Sequence, residues 1–128
     1  KKIIEKANEL ASNGEDILDR HFTLQQTMQI YYPEREVSTE AMERAVWACR
    51  EQITLAPKAS KVFLKEYPEQ ALPGHAGYSQ LRIVLEKQGK YKEAIELAEE
   101  AKKQGWAGNW DKQIETLRKK MLKKINSV

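Results

Sequence analysis

Two histidines, one cysteine and a lysine-rich end are the features of this 128-residue chain whose residue types could do chemistry. His21 follows Glu15, Asp16 and Asp19, and hard oxygen donors beside an imidazole suggest a divalent-cation site. The same carboxylates also suit the solvated first turn of a helix, where they meet the positive end of its dipole. The helix start is the expectation, since neither histidine belongs to a ligand pair such as His-x-x-x-His. His75 lies between Gly74 and Gly77 and is expected to shape a turn or cap the helix that follows. Cys49 would need a neighbouring histidine and an electropositive setting to act as a nucleophile. It sits instead on an apolar helical stripe, which points to a buried structural thiol. Gly74 and Gly77 have the wrong spacing for a phosphate loop, and no Lys-Ser/Thr follows them. No catalytic residue, metal ligand or cofactor site is expected, and the chain reads as a non-enzyme.

Residues 111–128 carry Lys112, Arg118, Lys119, Lys120, Lys123 and Lys124 against Asp111 and Glu115. Arg118, Lys119, Lys120, Lys123 and Lys124 surround an apolar stripe that ends in Met121, Leu122 and Ile125. Such a basic amphipathic helix could meet RNA, an anionic membrane surface or an acidic partner. Lysines also favour helix C-termini and keep a terminal capping helix soluble, and no aromatic residue interleaves with them here. The capping helix is the expectation, with nucleic-acid or anionic-surface binding as the alternative. The net charge of +3 is too small to imply a nucleic-acid partner by itself.

The elements that must position these groups are helices. Charged residues make up 32% and hydrophobic ones 41%, and the six glycines and four prolines punctuate stretches rich in Ala, Leu, Glu, Lys and Gln. About seven helices follow. Ile3, Ile4, Ala7, Leu10 and Ala11 mark a first, stopped by Asn13-Gly14. Ile17, Leu18, Phe22, Gln25, Met28 and Tyr31/Tyr32 mark a second, ending before Pro33. The third is capped by Ser38 or Thr39 and faces inward with Met42, Ala45, Val46, Cys49 and Ile53. A short fourth helix is expected over Pro57–Tyr67, with proline as its first residue. Trp47 lies off its own helix's stripe; cover by that inserted helix is the expectation, with a contact surface as the alternative. A fifth runs from about Gly77 to Gln88. The sixth starts at Tyr91 and stops at Gly105, with Trp106 packing back on its last turn, and the seventh carries Trp110, Ile114, Leu117, Met121 and Ile125.

The single cysteine and the lack of a leader pattern fit a cytoplasmic protein, and no apolar run approaches the ~18–20 residues of a membrane span. Because helical pattern begins at once and Lys1 is no initiator methionine, the chain reads as a domain cut from a longer protein or as lacking its native start.

An internal repeat is visible. Glu40-Ala41-Met42 with Ala45 and Ala48 matches Glu93-Ala94-Ile95 with Ala98 and Ala101. Small residues at that spacing let a partner helix approach closely. The second copy resembles the tetratricopeptide repeat (TPR), a helix pair of about 34 residues. Tyr78, Leu81 and Leu85 match its first helix, Gly89-Lys90-Tyr91 its turn, and Ala94, Ala98 and Ala101 its second helix; Arg82 and Trp106 depart from it. The first copy is looser, with Glu36 at the turn-glycine position and Ser38 at the turn tyrosine. The whole also resembles uncharacterised bacterial TPR proteins.

The resemblance implies a single all-α domain of antiparallel helix-pair repeats forming a TPR-like superhelix. Its parts are an N-terminal helix (1–14), a degenerate first repeat (15–55), an inserted short helix and loop (56–73), a second repeat (74–107) and a basic capping helix (108–128). The function it implies is protein–protein interaction: binding of a peptide or partner helix in a short groove, self-association, or packing on the parent protein. The groove residues would be Gln26 and Ile30 from the first copy and Ser79, Ile83, Glu86 and Lys87 from the second.

Overall fold

The computed structural model describes residues 14–126, and the helix expected over 1–14 lies largely outside them. Among the described residues the protein is all-helical, with five α-helices and one 3-10 turn. They are α1 (Gly14–Tyr31), α2 (Thr39–Glu66), α3 (Ala76–Lys87), α4 (Tyr91–Gln104) and α5 (Trp110–Asn126), with the 3-10 turn at Tyr32–Glu34. The chain forms two compact units that divide after Gln70.

The first unit is the α1–α2 hairpin. Pro33 ends α1 as expected and draws the next residues into the 3-10 turn. Ser38 is extended, and its Oγ accepts a hydrogen bond from the Ala41 N–H at 3.1 Å, so the expected cap of the next helix is in place. Ala41, Ala45, Ala48, Cys49, Gln52, Ala56, Ala59, Ser60 and Phe63 then form one buried stripe of α2.

That stripe explains the main departure from expectation. Pro57 does not open a separate helix; it lies inside a helix of 28 residues. Proline lacks the N–H that would donate to the Ile53 carbonyl, which normally breaks a helix. Here the small and apolar positions on either side keep the same helical phase, so burial of Ala56, Ala59 and Phe63 holds the segment straight through the proline. Pro57 itself is exposed, and its carbonyl accepts from Ser60 Oγ at 2.8 Å. The expected third and fourth helices are therefore one, and residues 56–66 form no separate short helix. Trp47, on the same rod, is out of reach of that segment and stays 52% exposed. Met42, Val46 and Ile53, expected inward, are half-buried, because the alanines take the centre of the contact.

On α1 the buried positions are Ile17, Leu18, His21, Leu24 and Met28. His21 takes the place expected for Phe22, which is exposed but keeps edge contact with the Phe63 ring at 5.9 Å. Gln52 Nε2, fully buried, donates to the His21 carbonyl at 2.9 Å and fixes the register of the pair.

The second unit is the α3–α4 hairpin followed by α5. Tyr78, Leu81, Val84 and Leu85 of α3 face Ala94, Ile95, Ala98 and Ala101 of α4 as its core. Gly105 ends α4 in the left-handed conformation at φ +90°, and the Trp106 N–H returns to the Ala101 carbonyl at 3.2 Å. Trp106 is buried on that last turn, as expected. The Trp110 indole N–H donates to the Trp106 carbonyl at 2.7 Å, so the two tryptophans set the α4–α5 corner. Gly108, at φ +156°, lies under that indole, where an added Cβ would approach Trp110 Cε2 to 2.8 Å. The Ala107 N–H donates to the Pro73 carbonyl at 3.1 Å, tying the residues before α3 to those after α4.

A helix that continues through its proline predicts the effect of removing it. Pro57→Ala should raise stability by about 2 kcal/mol, since restoring the N–H outweighs the entropy returned to the unfolded chain. A lower urea midpoint for the variant would instead mean that Pro57 starts a helix of its own.

Candidate functional site

His21, His75 and Cys49 are all buried. His21 is 1% exposed, with its ring 5.1 Å from Phe22 and 5.4 Å from Phe63, edge-on to both. The solvated helix start expected for it is thus a buried aromatic setting, and Asp19 remains exposed. Burial holds its imidazole neutral and pushes its pKa down to about 4. The spacing Ile17, His21, Leu24, Met28 was the available signal, since it places His21 at the centre of the apolar stripe. Cys49 is buried as expected, and burial pushes its thiol up to about 12. Among the described residues no three His, Cys, Asp or Glu side chains come together as a metal set.

His75 caps α3. Its Nδ1 accepts from the Tyr78 N–H at 3.1 Å, and its ring packs 4.6 Å from Tyr78 and 4.7 Å from Trp106. Trp106 Nε1 in turn donates to Gln104 Oε1 at 2.8 Å. Burial pushes the Tyr78 hydroxyl up to about 12, with the Glu100 carboxylate acting in the same direction. This cluster is the architecture of a joint.

The groove residues separate between the units. Gln26 and Ile30 are exposed on α1, Ile30 to 65%. On α3, Ser79, Ile83 and Glu86 are half-buried and Lys87 is exposed. Glu86 is already engaged: it accepts from Arg82 Nη1 at 3.3 Å and from Lys120 Nζ of α5. A residue assigned to the groove and one assigned to the basic patch thus form one ion pair. That bond holds the Lys120 ammonium more firmly protonated.

The five cations of the patch do not share a face. Lys124 Nζ donates to the Gly89 carbonyl at 3.1 Å and lies 5.7 Å from the centre of the Tyr91 ring. Lys120, Lys123 and Lys124 thus line the basin that also holds Glu86, Lys87 and Tyr91. Arg118 and Lys119 line a different groove, of about 740 Å³ between α4 and α5, over Ile114 and Leu122. There Lys119 pairs with Glu115 at 3.2 Å and Lys102 with Asp111 at 2.6 Å. Both pairs are exposed and add little stability. Sequence reasoning missed the intramolecular roles of Lys120 and Lys124, because their partners lie more than thirty residues away.

No helix among the described residues is long and apolar enough to cross a membrane. No protein-family model matches the chain, and neither a curated protein nor a solved structure matches it. What fold and site define is an all-helical protein of two helical units, with its polar chemistry directed into packing and onto helix ends.

Two measurements follow from these burials. The unfolded chain takes up a proton at His21 near pH 6.5 and the folded chain only near 4, so stability present above 6.5 falls with pH across that window. The loss should reach about 2 kcal/mol at pH 5, and His21→Leu should remove that part of the difference between urea midpoints at pH 7.5 and 5. Cys49 should resist iodoacetamide at pH 8 in the folded protein and react fully in urea; rapid labelling of the native chain would contradict its burial.

Proposed function

We propose that the chain is a non-catalytic protein–protein interaction module of TPR-like helix pairs, binding a peptide or partner helix or packing on its own parent protein. The observation that carries this reading is a division of labour within each hairpin. The second helices, α2 and α4, present alanines to their partners: Ala41, Ala45 and Ala48 in one, Ala94, Ala98 and Ala101 in the other, all buried. The first helices, α1 and α3, carry apolar residues beside polar ones away from these alanines, with Ile30 beside Gln26 exposed on α1 and Ile83 beside Ser79 half-buried on α3. Apolar anchors edged by polar groups suit a helical or extended partner.

The TPR-like assignment of the second unit has further support. α3 and α4 have 12 and 14 residues and are joined through Gln88, Gly89 and Lys90. Tyr78, Leu81 and Leu85 are buried on the first helix, where the resemblance calls for its large residues. Trp106, in place of the family's closing proline, packs against His75 and so takes part in the joint.

Nucleic-acid or anionic-surface binding through α5 alone ranks behind this reading, because its five cations face different grooves. The test is affinity capture, identification of the retained protein, and titration of that purified partner. Ile30→Asp and Ile83→Asp should each weaken binding by about tenfold or more. Full affinity in both variants would remove the reading.

A further inference from the structure

Three elements of the second unit bring their lysines to one end. Lys87 closes α3, Lys90 and Lys92 flank the start of α4, and Lys120, Lys123 and Lys124 come from the last turns of α5. They line two basins that share Tyr91 and Lys124, and the carboxylates there are Glu86 and Glu93. Glu86 is already bonded to Arg82 and Lys120, so it offers little to offset the remaining charge. The α3 carbonyl end, which would also attract a cation, is occupied by Lys124 at Gly89. The end is therefore strongly positive, and two of its ammonium groups are held in place before any ligand arrives. Pre-set cations lose less side-chain entropy on binding.

The same end carries an apolar shelf. Tyr91 and Met121 are half-buried there, and Ile125 is 61% exposed. A single-stranded nucleic acid would need a free aromatic face for stacking, but Lys124 lies over the Tyr91 ring. A phosphate backbone makes no use of Ile125 and Met121. A protein segment with carboxylates around an apolar side chain makes use of both.

We propose that this lysine-rich end of the second unit docks an acidic segment of a partner protein, with carboxylates on the lysines and an apolar side chain on the Tyr91–Met121–Ile125 shelf. The assignment rests on the interaction-module reading and names the chemistry of its partner.

The test uses the full chain and a short fluorescein-labelled peptide of glutamates flanking a leucine pair, read by fluorescence anisotropy. Lys87 and Lys123 are exposed and make no hydrogen bond or ion pair among the described residues, so Lys87→Glu/Lys123→Glu should fold normally. That variant should lose about tenfold or more in affinity, and Ile125→Ser about threefold. The matched control Lys58→Glu/Lys61→Glu, on α2, should stay within about twofold, and added salt should weaken binding. No binding of the peptide, or an equal loss in the control, overturns the proposal. Tighter binding of an oligothymidine, or of phosphatidylserine vesicles, at the same lysines overturns the choice of partner. If the peptide fails while the captured partner still binds and loses affinity in Ile83→Asp, this assignment alone falls. Failure of both tests removes the interaction-module reading as well.

Discussion

How near two helices can lie is set by the side chains between their axes, and in both units that gap is filled by alanine. Ala41, Ala45, Ala48, Ala56 and Ala59 line α2, and Ala94, Ala98 and Ala101 line α4. Small residues permit interaxial distances near the lower end of the usual ~8–10 Å range. Each alanine contributes little apolar area, so cohesion comes from the larger residues opposite: Ile17, Leu24 and Met28 in one unit, Tyr78, Leu81 and Leu85 in the other. The exposed face of α1 follows from this arrangement. A helix whose large residues already face an alanine-lined partner has its opposite side left over.

Close approach alone does not fix register, because a row of alanines fits its partner at more than one offset. Polar groups supply what the alanines lack. Gln52 reaches the His21 backbone, and His75 closes the first turn of α3 while packing on Trp106. A slip of α2 along α1 by one turn would strand the Gln52 amide in an apolar contact, at a cost of about 1–3 kcal/mol for the unmade bond. Along α5 the longer-range contacts Lys120–Glu86 and Lys124–Gly89 act in the same way at the surface, where they are weaker.

Features governed by local chemistry were legible in the sequence. Pro33, Gly89 and Gly105 mark helix ends, Ser38 and His75 mark helix starts, and the alanine spacing marks the buried sides of α2 and α4. Features decided by competition were not. At Pro57 a local breaker meets an in-phase stripe, and the stripe prevails. At His21 the apolar neighbours Ile17 and Leu24, four and three residues away, outweigh the nearby carboxylates and bury the ring. Trp47 stays exposed because the segment expected to cover it continues the same helix. The candidate site divides along the same line. The groove residues were read helix by helix and fall on outward or half-buried faces, whereas the lysine-rich end draws on three elements distant in sequence, so no single window of the sequence displays it.

The hydrogen bond from Ala107 to Pro73 has a topological meaning. The chain enters the α3–α4 hairpin and leaves it at nearly the same point, joined there by a backbone bridge. The hairpin is thus a closed loop whose two ends need no rerouting if it is cut out, duplicated or opened at the Gly89 turn instead.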